Sequence, residues 1–348
     1  HNYLKEQFKN YKKIFNKISK VVKFNDFTLG YEVEKFENNF KNLISSKHCT
    51  GVGSGTDAIY LALKSLNLNL GDEVITTPLT MSATSLSILH SGAIPVFADV
   101  DKDTFQIDPK SIVEKITEKT KAIMVVSLYG LSPEMDEIMD IAKKYNLYVI
   151  EDNAECFLGE YKGRILGSIG DASSFSFQNT KHMTTGEGGM ILTNNIILQD
   201  KIAKATVLGY QTVGELARKF EVTEFRDPNF DRHITYGFNY RMSELCAAVG
   251  LNRLNYLEKF VKIRIEVAKK FEKVINDSNC NWLIPQKVNN YIKHVYWGYS
   301  VKIGNDITFN NFRDKFISNG GRAPYAAWKL TYLEPVSYTH LRAHETTN

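Results

Sequence analysis

Between residues 48 and 150, short apolar runs alternate with helix-patterned segments, and this alternation leaves few folds open to the chain. Ala122–Leu128 (AIMVVSL) is a continuous apolar run of strand length, the pattern of a strand buried on both faces. The same reading gives strands at His48–Val52, Glu73–Thr77, Pro95–Ala98 and Leu147–Ile150. Helices are expected at Thr56–Leu66, Ser82–Ser91 (stopped by Gly92), Asp108–Thr117 and Pro133–Tyr145. Strand–helix repetition of this kind builds a largely parallel sheet covered by helices on both faces. Ser174–Phe177 and Gly189–Thr193 read as two further strands.

Beyond about residue 240 the pattern changes. Met242–Lys270 reads as one long charged helix leading to a smaller unit, with a strand at Val295–Val301 and a helix at Phe309–Asn319. A chain of 348 residues suits two or three domains at roughly 100–200 residues each. The expected class is α/β: a large domain over 1–240, entered through an N-terminal helical segment, with a mixed, mostly parallel sheet. A connecting helix and a smaller α+β domain follow over 241–336. The final string SYTHLRAHETTN resembles translated sequencing-adapter read-through, so 337–348 are set aside as a non-native tail and the small domain is expected to be C-terminally truncated. The chain starts His1-Asn2-Tyr3-Leu4 without an initiator Met, so the true N-terminus is expected to lie outside it. That start has no apolar core before a cleavage site, and no signal peptide is expected.

Composition narrows the partners. The hydrophobic fraction is 43%, the charged fraction 24% and the formal net charge +4, ordinary for a globular protein. Lys12, Lys13, Lys17, Lys20 and Lys23 alternate with Phe, Ile and Val at helical intervals. They read as the solvated face of an amphipathic helix, so neither nucleic acid nor membrane is expected as a partner. Cys49, Cys156, Cys246 and Cys280 are too scattered for a disulfide framework or a metal site and fit reduced thiols in the cytoplasm. No run approaches the roughly 18 apolar residues of a membrane-spanning helix.

Three segments carry chemistry. Gly53-Ser54-Gly55-Thr56-Asp57 joins a strand to a helix, where backbone N–H groups and the helix N-terminus can receive an anion. Taken alone it is equally a tight turn. Glu151-Asp152-Asn153-Ala154-Glu155 lies at the carboxyl end of the strand LYVI, the side on which open α/β sheets gather ligands. An acid there could pair with a protonated ring nitrogen, or simply cap the next helix. In SFSFQNTKHMTTGEGG a strand ends, Lys181 follows in a polar loop, and glycines lead into another strand. A lone loop lysine is normally a solvated charge, but Ser176 and the flexible Gly186-Glu187-Gly188-Gly189 permit close packing around a ligand.

Together with TTPLTMSATSLSILHSGAIPVFADVD and GFNYRMSELCAAVG, these segments resemble the DegT/DnrJ/EryC1/StrS sugar aminotransferases. The resemblance runs from Thr28-Leu29-Gly30 to Pro335. It implies the aspartate aminotransferase-like fold of the type I pyridoxal 5′-phosphate enzymes. It places the family's Schiff-base lysine on Lys181 and the carboxylate that keeps the pyridine nitrogen protonated on Asp152, the two catalytic positions. Glu155 falls where the family approaches the ring hydroxyl. Gly55, Thr56 and Ser176 match the phosphate cradle. Asn239 matches a residue reaching the phosphate from a neighbouring subunit, which implies a homodimer with shared active sites. Met81 stands where the family usually has an aromatic ring over the cofactor. Arg241 is a candidate anion contact or a structural ion-pair residue.

The implied activity is transamination of a nucleotide-linked keto-deoxy sugar for polysaccharide biosynthesis, with L-glutamate as donor. The segment GGRAPYAAWKLTYLEP resembles members acting on 4-keto-6-deoxyhexoses. One branch of the family dehydrates its substrate and carries His at the lysine position; here His182 is adjacent to it, and is expected to pack or hydrogen-bond rather than to act as an acid or base. The same motifs would also suit amination of a keto-inositol, or a regulator that binds the cofactor without turnover. No appended helix-turn-helix supports the last.

Overall fold

The computed structural model describes residues 4–211, 226–304 and 307–340. Helices α1 (Leu4–Gln7), α2 (Tyr11–Phe24) and α3 (Tyr31–Ile44) precede β1 (His48–Val52). Then α4 (Gly55–Ser65), β2 (Glu73–Thr76), α5 (Ser82–His90), β3 (Ile94–Phe97), α6 (Pro109–Lys115), β4 (Thr120–Val126), α7 (Met135–Tyr145) and β5 (Tyr148–Asp152) alternate. A short hairpin of β6 (Glu160–Tyr161) and β7 (Arg164–Ile165) leads to β8 (Ala172–Ser176), β9 (Gly189–Thr193) and α8 (Ile196–Thr206). The later part holds α9 (Glu244–Leu254), α10 (Leu257–Asp277), β10 (Leu283–Pro285), β11 (Ile292–Lys293), β12 (Val301–Ile303), α11 (Phe309–Ser318) and α12 (Pro335–His340).

Among the described residues the main sheet has seven strands, in the order β1-β9-β8-β5-β4-β2-β3. The pairs β3–β2, β2–β4, β4–β5 and β5–β8 are parallel; β9 runs against both β8 and β1. Only β9 is therefore reversed, which brings the carboxyl ends of the other strands and the start of β9 to one edge. Ala122–Val126 of β4 are all buried, as AIMVVSL requires. One apolar layer joins Phe36 and Phe40 of α3 to Phe157, Phe175 and Phe177. The opposite layer joins Ile59, Leu61 and Leu63 of α4 to Ile88, Met124 and Ile202. At 25 cal/mol per Å2 of apolar surface, each of these aromatic side chains contributes roughly 2–3 kcal/mol on burial.

Local signals set the helix starts. Ser54 caps α4 by accepting the Asp57 N–H at 3.0 Å. Asp108 caps α6 through the Lys110 N–H at 2.9 Å, with Pro109 opening the helix. Among the lysines of α2, Lys12, Lys13, Lys20 and Lys23 are exposed while Ile14 and Val21 are buried, as an amphipathic helix requires.

The structure corrects two expectations. Met242–Lys270 is not one helix: α9 ends at Leu254, and a break at Asn255–Tyr256 redirects the chain into α10. The Val295–Val301 strand is absent. His294 Nδ1 and the Val295 N–H instead bond the Gly130 carbonyl at 2.8 and 2.9 Å, tying this stretch to the end of β4, and only Val301–Ile303 is extended. Of the segment set aside as a tail, residues 341–348 lie outside the described residues, while Ser337 is buried with its Oγ donating to the Thr331 carbonyl.

Glu244, buried at the start of α9, clamps the N-terminus of α3 from far away in the sequence. It accepts the N–H groups of Gly30 and Glu32 at 2.7 Å and of Val33 at 3.2 Å. Glu244→Ala should destabilise the fold by on the order of 3 kcal/mol in urea unfolding, because buried donors lose their acceptor, and Glu244→Gln should recover part of the loss. Equal unfolding midpoints for the wild type and Glu244→Ala would contradict this role.

Candidate active site

The acidic segment sits where β5 runs out of the sheet. Alternation along a strand sends Glu151 and Asp152 to opposite faces. Glu151 accepts the N–H groups of Gly167, Ile169 and Gly170 at 2.7, 2.9 and 2.7 Å, so it holds the loop entering β8. Asp152 is 4% exposed and faces the other way, accepting the Thr84 hydroxyl at 3.0 Å and the Ala154 N–H at 3.2 Å. Burial pushes its carboxyl above the usual range, offset in part by those two donors and by the charge of Lys181.

Lys181 follows β8. Its Nζ lies 3.4 Å from Glu155 Oε1, and its side chain is 13% exposed. The loop carrying it is folded back tightly: Thr185 N–H and Thr184 Oγ1 both donate to the Phe177 carbonyl, at 3.1 and 2.7 Å. Gly186 turns the chain at φ 90°, a conformation that costs glycine little. Burial raises the Glu155 carboxyl; Lys181 and the Tyr129 N–H, 3.0 Å from Oε2, lower it.

A third wall was not legible in the sequence. Lys181 Nζ lies 4.9 Å from the centre of the Trp297 ring, whose indole N–H donates to the Thr180 carbonyl at 3.0 Å. Arg264 on α10 donates to the carbonyls of Tyr296 and Trp297 at 3.3 and 2.8 Å, fixing that loop. The Tyr129 ring stacks on Trp297 at 6.5 Å with 8° between planes, and Trp328 packs against both. Tyr129 holds φ 61°, an uncommon conformation for a bulky residue, and this aims its N–H at Glu155. Its place just beyond the end of β4 was the one available signal. Trp297, 117 residues from Thr180, offered none.

The cradle is built from small groups. A Cβ on Gly55 would stand 2.5 Å from Ser176 Cβ, and one on Gly189 would stand 2.3 Å from the Ser54 carbonyl oxygen. The first turn of α4 therefore packs directly on the ends of β8 and β9, with the N–H groups of Gly55 and Thr56 opening the helix. Helix α5 links cradle and carboxylate: Thr84 reaches Asp152, and Ser87, one turn on, donates to the Thr56 carbonyl at 3.4 Å. Met81 is the residue before α5 and is 55% exposed. Arg241 bridges Val52 at the end of β1, and its Nε is buried with no partner among the described residues. Asn239 is exposed, in the strand-like pairing of its backbone with Val207. His182 is fully buried, its Nε2 3.0 Å from the Val295 carbonyl, and burial holds its imidazole well below the usual value. It packs against Phe157, as the sequence suggested.

The sequence profile of the DegT/DnrJ/EryC1/StrS aminotransferase family matches residues 9–347. The chain belongs to that family. It is 39% identical over 272 residues to GDP-perosamine synthase of Escherichia coli O157:H7, covering 78% of this chain and 70% of that one. It is 40% identical over 263 residues to dTDP-3-amino-3,6-dideoxy-α-D-galactopyranose transaminase of Aneurinibacillus thermoaerophilus, covering 74% and 66%. The crystal structure of S. venezuelae DesV in complex with a ketimine intermediate superimposes with a TM-score of 0.86 at 26% identity, over 97% of this chain and 85% of that one. This DegT/DnrJ/EryC1/StrS chain is a pyridoxal-phosphate-dependent sugar aminotransferase of the type I fold.

The residues present fit that cofactor. The buried Asp152 has only neutral donors in hydrogen-bonding contact, which leaves its charge to be matched by a protonated ring nitrogen. The glycine cradle and the unpartnered Arg241 Nε suit a phosphate. No described helix is long and apolar enough to cross a membrane.

The buried acids give a pH signature to the cofactor-free protein. Glu151, Asp152 and Glu155 are all raised by burial, so the folded chain binds these protons at higher pH than the unfolded chain does. Stability is then lost as pH rises from about 4, the unfolded value, through the folded ones. Asp152→Asn should therefore melt higher than the wild type at about pH 8, with the difference shrinking towards about pH 4, in thermal scans of cofactor-free protein. A variant melting lower at pH 8 would mean that the Asp152 charge is stabilised in place.

Proposed function

We propose that this enzyme transfers an amino group from L-glutamate to the ketone of a nucleotide-linked keto-deoxy sugar, in the cytoplasm, for polysaccharide biosynthesis. The observation that carries the reading is the 3.4 Å approach of Lys181 Nζ to Glu155 beside the buried Asp152, beyond the carboxyl ends of β5 and β8. The substrate class is supported by the nucleotide-sugar products in the names of the two relatives.

When bound, pyridoxal phosphate supplies an electron sink that stabilises a carbanion at the amino-bearing carbon. The side chains divide the remaining work. Lys181 anchors the cofactor and then, freed, takes and returns a proton at Nζ. Asp152 holds the proton on the pyridine nitrogen, and Thr84 orients that carboxylate. Glu155 would approach the ring hydroxyl, and it keeps the Lys181 amine in place. The N–H groups of Gly55 and Thr56 and the Ser176 hydroxyl bind the phosphate. The Met81 thioether would pack against the bound ring. Asn239 of a neighbouring copy completes the phosphate site, so the working unit is a homodimer. Trp297 and Tyr129 exclude water around Lys181 Nζ and hold its loop. A lysine at position 181, with His182 buried and held neutral, argues for amination over dehydration.

Two experiments test this. Cofactor-loaded enzyme given L-glutamate and no sugar should release 2-oxoglutarate, and mass spectrometry with a panel of nucleotide keto sugars should then find an aminated product. No 2-oxoglutarate would reject the donor; loss of water from the sugar, or amination of a keto-inositol alone, would reject the substrate class. Lys181→Ala should lower the glutamate half-reaction by about 10³-fold or more. Dimers pairing a Lys181→Ala chain with an Asn239→Ala chain should regain one fully active site. Activity no better than that of Asn239→Ala dimers would mean each site draws Asn239 from its own chain.

A further inference from the structure

A cleft lies at the junction of α1 with α9 and α10. Its volume is about 370 Å3, and it is lined by Lys9, Asn10, Arg253, Tyr256, Lys259 and Phe260 among others, with no acidic residue among the described residues of its wall. Arg253 is 1% exposed. Among the described residues its guanidinium donates only to Asn252 Oδ1, its Nε is buried without a partner, and no carboxylate pairs with it. The rings of Phe8 and Tyr256 stand 5.2 and 5.0 Å from the guanidinium and offset part of the cost of burial. Burial still pushes Arg253 below its ordinary value. A guanidinium this buried normally keeps a carboxylate or phosphate beside it, and two exposed lysines, Lys9 and Lys259, flank the same opening.

The rest of the wall suggests what the anion is attached to. Tyr256 immediately precedes α10 and Phe260 lies in its first turn, their rings 6.3 Å apart with planes inclined by 28°, so two near-parallel aromatic rings line the wall. Asn10, whose Nδ2 reaches the Tyr256 hydroxyl at 3.3 Å, adds an amide that can donate and accept at the edge of a planar ring. Cations, near-parallel aromatic rings and an amide beside them are the elements that bind nucleotides elsewhere. We propose that this cleft binds a nucleoside phosphate, its phosphate on Arg253, Lys9 and Lys259 and its base along Tyr256 and Phe260. The site is separate from the Lys181 centre and does not depend on the substrate assigned to that centre.

Equilibrium dialysis of the cofactor-loaded enzyme against adenosine 5′-monophosphate tests this, with adenosine and inorganic phosphate as parallel probes. Saturable binding of the nucleotide is expected, with both fragments weaker by about tenfold or more. Lys259→Glu, a surface change outside the transamination machinery, should weaken nucleotide binding about tenfold while leaving the glutamate half-reaction unchanged. Arg253→Gln should weaken it further; should that variant fail to fold, Lys9→Glu takes its place. Hydrogen exchange should slow at residues 7–10 and 253–260 on addition of the nucleotide. The proposal is overturned by an absence of saturable binding below about 1 mM, by wild-type affinity in Lys259→Glu, by phosphate alone binding as tightly as the nucleotide, or by protection confined to the Lys181 loop.

Discussion

A nearly buried lysine is the constraint around which this molecule is arranged. Taking an ammonium out of water costs several kcal/mol, and neither a single ion pair nor a cation–π contact of about 2 kcal/mol offsets that alone. Lys181 meets both, from Glu155 after β5 and from Trp297 on the loop that α10 positions. The sheet makes the meeting possible. Because β5 and β8 are parallel neighbours, Asp152, Glu155 and Lys181 leave the same edge, and the reversed β9 returns a glycine-rich turn to it.

Much of the fold could be read from periodicity. The strands β1 and β9 have the expected bounds, and the β2–β5 alternation lies within a few residues of expectation, because each element there has one uniform environment. Reading failed where tertiary contacts override local pattern. Val295–Val301 has the apolar, β-branched and aromatic composition of a strand, yet its partner is the turn after β4 rather than a sheet edge. The long helix broke because Asn255–Tyr256 turns the chain, and nothing in the charge pattern of 242–270 marks the turn.

The site divides in the same way. EDNAE announced a cluster of acids, but only strand alternation in the folded sheet separates Glu151, which holds a loop, from Asp152, which faces the cradle. The resemblance to the aminotransferase family points to Asp152 and Lys181 from the sequence alone. It had nothing to say of Thr84, Tyr129, Arg264 or Trp297, whose importance lies in contacts made across the fold. Met81 and Asn239 are exposed in the single chain, so their surroundings depend on what docks there.

The ε-amine at position 181 is the one proposed to bond the cofactor. Wild-type enzyme loaded with pyridoxal phosphate, reduced with borohydride and digested, reports this directly by peptide mass spectrometry. A single modified peptide is expected, with the added mass on Lys181. The mass on any other lysine, or an unmodified digest from protein that retains the cofactor, would contradict it.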